Sequence, residues 1–194
     1  MSFEIWLAFA AASMVLLLIP GPTVLLVLSY AMGRGWKVAL PMAVGVGLGD
    51  LTAMTLSLMG VGALLATSAT LFTALKWVGA IYLIWLGVKL WRAGSSAEAR
   101  ARTDAASPAR MLGHAWLVTV LNPKSILFFV AFVPQFLDPA RDFAGQAAVM
   151  VATFVALAFL NALAYAVLGA RAGGLVRSPR AMRLVNRGGG TALI

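Results

Sequence analysis

Apolar residues are gathered into runs rather than alternating with polar ones. Five are long: Phe3–Met32, Val38–Ala66, Leu71–Leu90, His114–Leu137 and Gly145–Ala170. Each reaches the roughly 20 residues that a membrane-spanning helix requires. A sixth, Gly188–Ile194, begins and stops too soon to span. The pattern predicts an all-α membrane protein, a polytopic helical bundle of five complete spans plus a truncated sixth. Two runs carry breakers: Pro20-Gly21-Pro22 interrupts the first, and Asn122-Pro123-Lys124 interrupts the fourth. Matching interruptions in two halves of a membrane chain mark inverted repeats and their binding site. We therefore expect one transporter domain over 1–194, built as a 3+3 inverted repeat with broken helices 1 and 4. The half-repeats cover about 1–92 and 111–194, joined by a polar linker, 93–110.

Composition agrees with the pattern. Of 194 residues, 62% are hydrophobic before 19 glycines are counted, and only 11% are charged. A soluble chain of this size has too little interior for that apolar content. Disorder is excluded, and zero cysteines exclude disulfides, thiolate metal sites and a cysteine nucleophile.

The net charge of +9 reports orientation. Arg34 and Lys37 follow the first run; Lys89, Arg92, Arg100, Arg102 and Arg110 follow the third; Arg171, Arg177, Arg180, Arg183 and Arg187 follow the fifth. Basic residues concentrate in cytoplasmic loops, so these alternate loops are placed inside and the N-terminus outside. The opposite side has Arg141 with Glu4, Asp138 and Asp142. No basic n-region precedes the first run, which reads as a retained helix. Without aromatics interleaved among the basic residues, nucleic acid is not an expected partner. The bilayer is.

Charges that orientation does not explain carry the chemistry. Asp50 is the one acid deep inside an apolar run, and such residues usually mark substrate or proton pathways. Lys124 is the one deep base. The two could form a structural ion pair, or exchange with substrate and protons. Pro20 and Pro22 lack N–H groups, so carbonyls near Leu16 and Leu18 should lose helical partners. A second half-helix starting at Pro22 would aim free N–H groups at an anion. Asn122 and Pro123 suit an N-cap and first helical position, with Lys124 beside them. Lys76 could serve as an outward anchor or as part of the site. Asn161 and Tyr165 share one helical face and should hydrogen-bond between helices or line a pathway. Gly45 and Gly49 read as close helix packing; the spacing does not fit a phosphate loop. His114, at a membrane boundary, is given no role. A carboxylate for an ammonium, and half-helix N-termini for a carboxylate, describe a site for a zwitterion such as a free amino acid. No cofactor or metal is called for.

Several stretches together resemble the lysine exporter / homoserine–threonine exporter (LysE/RhtB) family. They are Pro20-Gly21-Pro22 followed by Gly33-Arg34-Gly35, then Gly45-x-Gly47-x-Gly49-Asp50. Further on come Lys76-Trp77-Val78-Gly79-Ala80-x-Tyr82-Leu83 through Gly87, and Asn122-Pro123-Lys124 through Pro134-Gln135-Phe136. The basic loop ending at Asn186-Arg187 also suits it. The resemblance implies a multi-pass exporter of amino acids and related small metabolites in the bacterial inner membrane, with six helices, driven by the proton gradient. It does not select a substrate, and a homodimer is compatible with it. The sixth apolar stretch departs from the family by its shortness.

Rival readings are poorly supplied. A membrane hydrolase needs a nucleophile with a positioned base or a metal cluster. A cation or metal exporter would want more ligands than one buried acid. A non-transporting scaffold would not need charges beside broken helices.

Overall fold

A serine opens the first helix: the Ser2 hydroxyl accepts the Ile5 N–H at 3.4 Å. In the computed structural model, which describes residues 1–67, 70, 74, 77, 81, 107–138 and 140–171, this helix, α1, covers Phe3–Leu18. It ends where Ile19 turns to extended backbone ahead of Pro20, as the restriction on a residue before proline requires. Gly21 is the extended N-cap of α2, Pro22–Arg34, with Pro22 at the first helical position. The two axes bend by 55°. α2 stops at Gly35, whose φ of 73° lies where a side chain is disfavoured. A 3₁₀ turn, Trp36–Val38, leads into α3, Ala39–Thr67.

The second half begins with another serine cap. Ser107 Oγ accepts the Arg110 N–H at 3.3 Å and Pro108 takes the first position of α4, Pro108–Val120. The helix thus starts inside the stretch read as linker, because a Ser-Pro pair is a start signal that apolar counting overlooks. α5, Pro123–Leu127, follows a break at Leu121 and Asn122 and continues as a π turn, Phe128–Phe132, and a 3₁₀ turn, Val133–Phe136. Pro134 cannot donate to the carbonyl four residues back, which accounts for the change of helical pitch around it. α4 and the Pro123–Phe136 segment bend by 44°. The last described helix, α6, is Phe143–Arg171.

By length and hydropathy Trp36–Gly62 and Phe143–Arg171 can each cross a membrane, as can each bent pair taken as one span. The expected third run is described only at its helical, exposed positions Ala74, Trp77 and Ile81. Lys76, most of the linker and the sixth apolar stretch lie outside the described residues. Outward faces carry large apolar side chains, among them Leu40, Leu56 and Leu160, about 60% exposed. Such a surface suits lipid rather than water.

Packing explains the glycines of α3. A Cβ on Gly45 would stand 2.8 Å from Ala115 Cβ and closer still to Leu112 O, and one on Gly49 would stand 2.6 Å from Thr119 Cβ. The two helices approach too closely for side chains there. α6 closes the bundle with a buried stripe of Gln146, Met150, Phe154, Ala158, Ala162, Ala166 and Gly169. Its small members let α2 approach: a Cβ on Gly169 would lie 3.0 Å from Leu28 Cδ2. At one end Phe9 meets Phe136 and Gly62 meets Phe143; at the other Tyr30 meets His114.

Candidate functional site: two helix breaks around one cavity

The two interruptions meet inside the bundle. Asn122, 3% exposed, accepts the Lys124 N–H on Oδ1 at 3.1 Å, capping α5. Its Nδ2 donates to Thr23 Oγ1 at 3.2 Å, in the first turn of α2. Thr23 Oγ1 also lies 3.3 Å from Thr119 Oγ1. One side chain thus ends its own helix break and ties it to the other.

The carbonyls released by Pro20 and Pro22 all find donors. Lys124 Nζ donates to Leu16 O at 3.0 Å and to Ile19 O at 2.8 Å. Asn161 Nδ2 donates to Leu17 O at 3.1 Å, and Tyr165 Oη donates to Leu18 O at 2.7 Å. Unsatisfied carbonyls in a bilayer cost several kcal/mol each. Ile19 N–H reaches back to Leu16 O at 3.2 Å, the second half of the chain supplies the other donors, and the negative end of the α1 dipole faces an ammonium.

The ion pair weighed between Asp50 and Lys124 is not formed: the salt bridge among the described residues is Arg141–Asp138, at 3.2 Å. The carbonyls of α1 compete for the ammonium and win: the break removes their donors four residues on, leaving Ile19 O to Lys124 and Leu16 O shared between Lys124 and Ile19 N–H. Asp50, 2% exposed, keeps Oδ1 buried without a hydrogen-bond partner.

Asp50, Asn122, Lys124, Asn161, Tyr165 and Gly21 line one cavity of about 30 Å³. That is room for one or two waters, far less than an amino acid needs. The ends of the two breaks are unequal. α5 is capped by Asn122, whereas no side chain caps α2, whose Gly21, Thr23 and Val24 also line the cavity. An uncapped helix N-terminus beside a cavity can accept an anionic group. Pro20 is buried at the break; Pro22 and Pro123 are exposed and act through the backbone.

The family model for LysE type translocators matches residues 14–194. The chain belongs to the LysE type translocator family. It is accordingly a membrane transporter rather than an enzyme. Among its relatives, an uncharacterized membrane protein of Vibrio cholerae is 36% identical, covering 96% of this chain and 91% of that one. The homoserine/homoserine lactone efflux protein of Salmonella typhimurium is 31% identical, over 98% and 93%. The leucine efflux protein of Salmonella choleraesuis is 33% identical, over 82% and 76%. No solved structure gives a significant match.

For this translocator, sequence reasoning passed over Thr23 and Thr119, which lie in apolar runs and carry no charge. The available signal was their distance from the breakers: Thr23 directly follows Pro22, and Thr119 stands one turn before Asn122. His114, given no role, has Nδ1 3.2 Å from Tyr30 Oη.

Proposed function

We propose that this translocator exports a free amino acid or close derivative from the bacterial cytoplasm across the inner membrane, by alternating access coupled to protons. One observation carries the reading: the deeply buried acid, the deeply buried base and the uncapped start of α2 face one cavity where two helix breaks meet. Asp50 serves the ammonium or the proton, as a buried carboxylate with an open acceptor is suited to do. The solute carboxylate goes to the N-terminal end of α2 and Lys124. Asn122, with Pro20, Gly21, Pro22 and Pro123, keeps the breaks open. Asn161 and Tyr165 hold the end of α1.

The small cavity fits an occluded conformation, with rocking of one half against the other admitting solute from either side. We place Arg34, Lys37, Arg110 and Arg171 on the cytoplasmic face, and Glu4, Asp138 and Asp142 outside, following the basic-loop rule. Relatives bearing the names homoserine and leucine efflux proteins make those two amino acids the first candidates. Purified protein in liposomes loaded with each amino acid, with and without a pH gradient, tests the reading. Failure of every amino acid to move through well-inserted protein would contradict it.

A further inference from the structure

The broken end of α1 is a site that part of the chain already occupies. Its last carbonyls carry the negative end of the helix dipole and lack the usual donors four residues on; Ile19 N–H reaches only Leu16 O, at 3.2 Å, which has a second lone pair to offer. Neutral donors, Asn161 and Tyr165, take Leu17 O and Leu18 O. A primary ammonium, Lys124 Nζ, takes Leu16 O and Ile19 O. Neutral groups therefore suffice to cap this end. The charged one stands out also because Asp50 lines the same cavity with an oxygen left buried and unpartnered. A base hydrogen-bonded to carbonyls, beside an acid whose Oδ1 has no hydrogen-bond partner, leaves a place for a second cation.

We infer that Leu16 O, Ile19 O and Asp50 form a cradle for a primary ammonium, and that Lys124 is a tethered occupant displaced by the ammonium of the exported solute. The inference rests on the exporter reading and adds where the ammonium goes and what guards the place. Lys124 has a long, flexible stem and lies against Gly21, where a Cβ would stand 3.4 Å from both Cε and Nζ. The released ammonium remains beside the uncapped start of α2, where the solute carboxylate arrives. A zwitterion thus supplies a replacement for each charge it disturbs. A simple amine supplies only one, and leaves the Lys124 charge stranded in a dry interior. The tether excludes amines and admits amino acids.

The test uses n-butylammonium and leucine or homoserine as probes of the purified full chain. Wild-type protein should bind the amino acid and not the amine. Lys124→Met, with the cradle vacated, should bind n-butylammonium about tenfold tighter or more than wild type, because the competent state is no longer occupied by the tether. It should also lose its preference for the amino acid. Equal amine binding by both proteins would overturn the inference. Amino-acid binding that is absent from wild type, while the amine fills Lys124→Met, would instead sink the exporter reading and keep the cradle. Should Lys124→Met fail to fold, wild type carrying 15N-labelled lysine decides, read by the NMR signal of the Lys124 side chain. Saturating amino acid should move that signal from its ligand-free position while n-butylammonium leaves it in place; a signal unchanged by saturating amino acid would refute displacement.

Discussion

Lys124 Nζ lies 2.8 Å from the carbonyl oxygen of Ile19, joining the second helix break to the end of the first. The bond ties the two halves of the translocator at the level where both are interrupted. On the proposed reading, the cavity beside it receives the solute.

Asp50→Asn tests the acid without changing volume. The variant should insert and melt like wild type, since Oδ1 has no hydrogen bond to lose. Its amino-acid efflux should fall at least about tenfold, a loss of roughly 1.4 kcal/mol of transition-state stabilisation. Wild-type efflux in proteoliposomes would reduce Asp50 to a packing residue.

Asn122→Ala removes both the cap on α5 and the bond to Thr23. A lost cap costs about 1 kcal/mol, and the second bond adds a similar amount. Unfolding in detergent should report about 2 kcal/mol, while Thr23→Val should lose only part of that. Identical stabilities for all three proteins would mean that the two breaks are not tied through this side chain.

Tyr165→Phe leaves Leu18 O without its donor. The bond lies on the exposed side of the bundle, so stability should drop by about 1 kcal/mol, the net worth of one hydrogen bond. Phe retains the ring, so any change in melting reads the hydroxyl alone. A melting temperature equal to wild type would show that water serves that carbonyl as well.

The glycines of α3 should separate by position. Gly49→Val would drive a side chain into Thr119 and destabilise by about 1–3 kcal/mol. Gly60→Ala meets nothing within 4 Å and should stabilise the helix by up to about 1 kcal/mol. Equal effects of the two substitutions on melting would contradict close packing of α3 on α4.

The helical runs were legible because lipid imposes a simple code: long apolar stretches, with charges at their ends. α3 at Ala39–Thr67 and α6 at Phe143–Arg171 fall within a few residues of the runs that predicted them. Both breaks were legible too, since proline acts through the backbone wherever it stands. The partner of Lys124 was not. Charges alone point to Asp50, whereas the winning acceptors are backbone carbonyls, which no letter of the sequence displays. Thr23 and Thr119 were hidden similarly, because a threonine in an apolar run is identified as polar glue only when another helix faces it. The start of α4 was missed for a local reason: Ser107-Pro108 lies in polar surroundings that mask a helix cap.

On the proposed reading, an amino acid passes through the cavity between Asp50 and Lys124. Counterflow in proteoliposomes tests it most directly: vesicles preloaded with unlabelled leucine or homoserine, then given a trace of the labelled amino acid. Label should accumulate transiently through wild-type protein, more strongly with a pH gradient, and the accumulation should be lost in Asp50→Asn. No accumulation of either amino acid, nor of any other in a full panel, by correctly inserted wild-type protein would contradict it.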